Sequence, residues 1–283
     1  MSDQRSYARF CPIDVHAHLP TEEYVKGLGI VVDVFRDVPR TIDEMIAEYD
    51  KAGIEKIVIL GWDAETITGL KVRNEYIAKT VDEHPDRFIG FASVDPHKGR
   101  IAIRELQTAI KDFKLQGLKL HPTFQEFFPN DRQFYPLYEK CVELGIPIIF
   151  HGGAELAGMG LPGGGGIRQK YARPIFFDDV AADFPDLMID IAHVGWPWED
   201  EQIAIVMHKS NVYMDLAGVS PKYYSPTLRT YLKVRFLNSK VMFGTDYPYL
   251  DPAKTVKEFK ELNLGSEIEK KILEENARSF LKL

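Results

Sequence analysis

Five of the eight histidines in this sequence stand at the C-terminal ends of short apolar runs: His16 and His18 in IDVHAH, His121 in GLKLH, His151 in PIIFH and His193 in IDIAH. Asp246 follows another such run in VMFGTD. Imidazole nitrogen and carboxylate oxygen together suit a borderline divalent ion such as Zn²⁺, whereas Mg²⁺ or Ca²⁺ would call for oxygen ligands alone. His16 and His18 are two residues apart, so on a strand both point to one side and can bind one cation. An isolated HxH pair arises by chance. His151 and Asp246, each at the end of a further strand, extend the pair to three imidazoles and a carboxylate. The expectation is one divalent transition metal, Zn²⁺ with Mn²⁺ as the alternative, held by His16, His18, His151 and Asp246. Cysteine offers no rival chemistry, because Cys11 and Cys141 lie far apart in apolar segments without a CxxC and read as buried small hydrophobes. His84, His97 and His208 lie away from strand ends and read as structural.

Residues as distant as 16 and 246 meet only if the intervening elements bring them to one place. Eight apolar runs, at 13–18, 56–61, 88–94, 117–121, 147–151, 188–193, 212–216 and 241–244, alternate with helical stretches. Their spacing is close to one βαβ unit of about 30 residues. IVIL at 57–60 and PIIF at 147–150 are continuously apolar, as in strands buried on both faces of a parallel sheet. Thr41 with Glu44 forms a capping box ahead of IDEMIAEYDKA, and Gly53 closes that helix. Further helices are predicted over 101–113, 133–144, 175–183, 199–208 and 227–236. A last helix is predicted to start at a second capping box, Ser266 with Glu269, and to lay Ile268, Ile272, Leu273, Phe280 and Leu281 on the outside of the molecule. The reading is an α/β chain: a single (β/α)8 TIM barrel over 1–283 with a C-terminal helical extension. All strand C-termini of such a barrel share one rim, which gathers the five histidines and Asp246.

Composition removes other classes of function. The net charge of −7 argues against a nucleic-acid or anionic-membrane partner. No apolar run approaches the roughly 18 residues of a membrane span. Residues 1–10 carry no apolar leader, so the expected location is the cytoplasm and the expected partner a small-molecule substrate.

IDVHAHLP, GLKLHP, PIIFHGG, IAHVGWP and FGTDYP, in that order from 13 to 248, resemble the amidohydrolase superfamily, within it the amidohydrolase-related (type 2) group of aminocarboxymuconate semialdehyde decarboxylase-like enzymes. The resemblance implies a mononuclear metal on His16, His18, His151 and Asp246, a water or hydroxide as a further ligand, and His193 as the acid/base. Such a division is physically sound, since a bound divalent ion lowers the pKa of water toward about 7 and an imidazole can carry the proton onward. Asp246 then serves both as ligand and as proton acceptor. Some amidohydrolases carry a carbamylated lysine on the fourth strand. This group generally does not, so Lys119 reads as a plain lysine orienting substrate through its charge, with His121 beside it as a substrate contact or a support for the ligands. Trp62 and Trp196 are candidate walls for an aromatic substrate. Arg73 and Arg168 are candidate partners for its carboxylate. The glycine tract 163–166 lacks a GK[ST] sequel and reads as a flap, not a phosphate loop. Barrels of this kind commonly form homodimers.

Three functions are compatible with these residues. The leading expectation is a metal-dependent hydrolase whose bound hydroxide attacks an ester, lactone, amide or activated carbonyl. The alternative is a nonoxidative decarboxylase of an aromatic or muconate-type acid, and a barrel without catalysis stands third. Hydrolysis leads because several aromatic acid decarboxylases of the resembled family replace the first histidine of the strand-one pair with glutamate, and this chain keeps His16.

Overall fold

The structure, a computed structural model, describes residues 11–28 and 41–283; the stretch 1–10, read above for a leader, lies outside them. The apolar runs become eight parallel strands: β1 (Ile13–Ala17), β2 (Lys56–Leu60), β3 (Phe88–Ser93), β4 (Gly117–Leu120), β5 (Ile148–His151), β6 (Ile189–Ala192), β7 (Val212–Asp215) and β8 (Val241–Met242). They pair in chain order, each parallel to the next. The ring closes between β1 and β8 through Val15 N–H to Phe243 O at 3.0 Å, Asp246 N–H to His16 O at 2.8 Å and His18 N–H to Tyr247 O at 2.8 Å. Buried Asp14 reinforces this seam by accepting from the N–H and Oγ1 of Thr245, at 3.1 and 2.5 Å, and from the Tyr49 hydroxyl at 2.9 Å. A short antiparallel pair, Trp62–Asp63 with Lys71–Val72, follows β2; two residues per strand are too few for any periodicity to reveal them.

Two apolar layers arise from strand alternation. Ile57, Ile59, Leu118, Leu120, Ile148 and Phe150 face outward into the layer shared with the helices. Ile13, Val15, Val58, Leu60, Ile89, Phe91, Ile149, Tyr213 and Met242 fill the interior. The Thr41–Glu44 capping box forms as expected and opens the helix Ile42–Ala52, which Gly53 ends at φ 70°.

Two helix expectations are corrected. The stretch 227–236 divides into Pro226–Tyr231 and Arg235–Asn238, because Val234 between them is extended at φ −88° and ψ 126°. The last helix starts after Gly265, whose φ of 94° occupies the N-cap position, so no Ser266–Glu269 capping box forms. Nor does that helix stay outside. After a π-helical turn at Lys271–Glu275, Asn276–Leu281 runs beneath the barrel, where Ala277, Phe280 and Leu281 pack on the interior residues. Ile13, Ile89 and Tyr213 lie near the starts of their strands, so this helix covers the N-terminal mouth and shields an interior that would otherwise meet water. Phe280→Ala should therefore cost about 3–5 kcal/mol in urea unfolding. A loss below about 1 kcal/mol would show that the plug is not carried by this side chain.

Candidate active site

Strict alternation along β1 would put Ile13 and Val15 on the face opposite to His16. The interior takes both sets. Asp14 pairs with Ile57 and Ala17 with Ile59, a register shift that leaves Val15 and His16 together opposite Val58. Such a bulge re-aims the side chains that follow it. His16 thus joins the interior above Val15, and His18 follows at the rim. Lys119 on β4, Asp190 on β6 and Asp215 on β7 are also buried, and Lys119 and Asp215 both reach His16.

Asp215 organises the floor of the site. Its Oδ2 lies 2.8 Å from His16 Nδ1, and its Oδ1 accepts the N–H groups of His193 and Ala217, both at 2.9 Å. Burial alone would raise this carboxyl. The interactions with His16 and His193 outweigh burial and hold it ionised, below the usual carboxylate range. Burial, with the Lys119 charge adding to it, pushes His16 down to about 3, so its ring is neutral. Nδ1–H then donates to Asp215, which leaves a lone pair on Nε2. At His18, Nδ1 lies 2.7 Å from the Tyr24 hydroxyl, which donates to Leu60 O at 2.5 Å and so must accept from His18. With Nδ1 so engaged, Nε2 is the His18 nitrogen that faces the site.

Both Nε2 atoms converge on one carboxylate oxygen. His16 Nε2 is 3.5 Å and His18 Nε2 3.3 Å from Asp246 Oδ1. Three potential ligand atoms held this close call for a positive charge among them. A cationic donor already stands at the edge, where Lys119 Nζ lies 3.3 Å from His16 Nε2. Two imidazoles and one carboxylate within ligand reach of one another suit a divalent transition ion, with coordination positions left for a substrate.

The acid/base candidate sits beside this group. His193 and Asp246 hold left-handed backbone at φ 69° and 58°, uncommon for residues with a side chain and typical of sites where surroundings impose a conformation. A Cβ added at Gly218 would stand 3.0 Å from His193 Nδ1 and 3.4 Å from Asp246 Oδ2, so only glycine leaves these two side chains undisturbed. His193 Nδ1 is 3.1 Å from Ala217 O, and its Nε2 is 3.1 Å from His151 Nδ1.

A family model described as amidohydrolase matches residues 13–283. The chain belongs to the amidohydrolase family. A related curated protein is the 2-amino-3-carboxymuconate-6-semialdehyde decarboxylase of Dictyostelium discoideum, 27% identical over 237 residues that cover 74% of this chain. The match spans 65% of that relative's length, a little under two thirds. An uncharacterised TIM-barrel protein from Bordetella bronchiseptica superposes with a TM-score of 0.82 at 25% identity, covering 96% of this chain and 98% of the other. A dihydroxybenzoic acid decarboxylase from a Polaromonas species, solved with bound manganese and 2-nitroresorcinol, shares the fold at a TM-score of 0.72 and 19% identity, over 96% of this chain and 97% of that one. These decarboxylases overturn the expectation of hydrolysis and favour its alternative. The physical reason for the error is that ligands able to polarise a water can equally polarise a carboxylate, so the presence of His16 discriminates nothing.

In this amidohydrolase the expected site residues separate into three sets. His16, His18 and Asp246 converge, with His193 and Lys119 against them. His151 lies between His193, whose Nε2 is 3.1 Å from its Nδ1, and the pair His121 and Glu155: its ring stacks on His121 at 4.0 Å between centroids, and Trp62 packs edge-on at 5.0 Å from His121. Trp62 is 5% exposed and packs on His121 and Phe124, whereas Trp196 is 62% exposed at the surface. Arg168 is 56% exposed and pairs with Glu126, and Arg73 lines a surface groove with Glu22, Lys26 and Lys71. The structure does not bring either arginine to the histidines. Asp215 and Glu155 escaped the reading of the sequence. An acidic residue closing the apolar run VYMD was a usable signal for Asp215, but nothing in HGGAE marks Glu155. Among the described residues no helix is long and apolar enough to cross a membrane.

Proposed function

We propose that this chain is a metal-dependent nonoxidative decarboxylase of a small aromatic or muconate-type carboxylic acid. The observation that carries the reading is the convergence of His16, His18 and Asp246 beside His193 on a barrel related to decarboxylases. Zn²⁺ or Mn²⁺ would be held by His16, His18, His151, whose buried Nε2 has no hydrogen-bond partner, and Asp246, and would supply Lewis-acid stabilisation of charge on substrate oxygen when bound. Burial lowers Lys119 to about 8, which leaves its ammonium mostly charged near neutral pH and able to pair with the substrate's anionic group. Trp62 and His121 would flank a flat substrate. In the reaction the bond from carbon to carboxylate breaks, CO₂ leaves, the electron pair stays on carbon, and one proton replaces the lost group. His193 would deliver that proton through Nε2, the atom that shares a hydrogen bond with His151.

The test is a screen of hydroxybenzoic and muconate-type acids with the metal-loaded enzyme. CO₂ release matched by formation of the decarboxylated product is expected for at least one acid. A panel that yields no CO₂, while an ester or lactone consumes water into product, would refute the proposal.

A further inference from the structure

Trp62, His121 and Glu155 form a corner of the rim whose polar atoms the reaction leaves unused. Glu155 is brought there by the loop after β5 and fixed in place. Ala157 N–H donates to its Oε1 at 2.8 Å, and the Gln169 side chain clasps its backbone N–H and carbonyl at 2.7 and 2.9 Å. Its Oε2 lies 3.1 Å from His121 Nε2, and a carboxylate oxygen only accepts, so His121 donates there. The other ring nitrogen, His121 Nδ1, is buried without a hydrogen-bond partner. So is Nε1 of Trp62, whose ring packs edge-on against His121 at 5.0 Å between centroids. Buried polar groups are nearly always paired, and unpaired ones in the wall of a site are open to a ligand. The His121 and Glu155 side chains are 11% and 12% exposed, which leaves a way in, and His121 stacks on His151 at 4.0 Å, which sets the corner beside the metal ligands.

The donors and acceptors select the ligand group. Trp62 Nε1 only donates and Glu155 Oε2 only accepts. A carboxylate would accept from the indole but meet the charge of Glu155. An ammonium group would donate to Glu155 but has nothing to offer the indole. A hydroxyl both donates and accepts. We infer that Trp62, His121 and Glu155 form a subsite for a hydroxyl group of the substrate, and that this selects hydroxylated acids over dicarboxylic ones. The inference rests on the decarboxylase reading for its carboxylic acid and adds which acids the site prefers.

The experiment is isothermal titration of the Mn²⁺-loaded full chain with benzoate, 3-hydroxybenzoate and 4-hydroxybenzoate, and with isophthalate and terephthalate, which carry a carboxylate in place of the hydroxyl. Neither ring position lets hydroxyl and carboxylate chelate one ion, so a preference reports the subsite and not the metal. At least one hydroxybenzoate is expected to bind about tenfold or more tighter than benzoate, and neither dicarboxylate is. Trp62→Phe keeps the ring packing but removes the N–H, and Glu155→Gln removes the charge. Each should cut the hydroxyl preference to about threefold or less and leave benzoate affinity unchanged. Should Glu155→Gln fail to fold, as judged by circular dichroism, Trp62→Phe carries the test. Equal binding of benzoate and both hydroxybenzoates overturns the inference. So does a preference that survives Trp62→Phe, and so does the absence of binding by any of these acids. A hydroxyl preference abolished by Trp62→Phe, with no CO₂ released from any acid, would uphold the subsite and refute decarboxylation. CO₂ release without such a preference would do the reverse.

Discussion

Asp246→Ala and His16→Ala should each lower metal affinity at their own position by more than about a hundredfold, because even changes to outer partners of metal ligands cost about 10–100-fold. Decarboxylation should fall to background with it. Asp246 supplies the carboxylate oxygen on which His16 Nε2 and His18 Nε2 converge at 3.5 and 3.3 Å. Removing it leaves the imidazoles beside the Lys119 ammonium without that negative charge, an arrangement that disfavours a divalent ion. His16→Ala also strands Asp215, which has His16 as its side-chain partner at 2.8 Å. The measurement pairs isothermal titration with Mn²⁺ and assay of CO₂ release at saturating metal. Full turnover in either variant after exhaustive chelation would show that the reaction does not need this cluster.

His193→Ala should behave differently. Metal affinity is expected to stay near wild type, since the His16, His18 and Asp246 contacts do not require the His193 ring, while kcat falls about a hundredfold or more with KM little changed, the scale of a lost acid/base group. The left-handed backbone at His193 is held by Asp215, which accepts its N–H at 2.9 Å, a bond that does not involve the imidazole. The truncated variant should therefore keep its fold, and a circular dichroism melt checks that. Unchanged kcat would assign His193 a structural role. A parallel loss of metal would make it a ligand.

How much of this was legible in the sequence follows from what each signal measures. Apolar runs ending in His16, His18, His121, His151 and His193 are local features, and a right-handed parallel barrel leaves one way to arrange eight of them, so the rim was readable. The last helix was misplaced because an apolar stripe says that a face is buried without saying against what. The surroundings of His151 were less legible than its place. Its strand and its inward direction could be inferred, but which side chains it meets depends on distances across the barrel. Those distances are set by the bulge at Val15 and His16, by the depth of Asp215 beneath them, and by Gln169 presenting Glu155 from a loop. The sequence by itself determined the barrel, the histidine-rich rim and its capacity for a metal, because these rest on period and residue type. Only the tertiary structure decided that Lys119 and Asp215 stand against His16 and that Glu155 reaches His121 and His151, because closure of a ring and the hydrogen bonds across it are set by contacts between residues far apart in the chain.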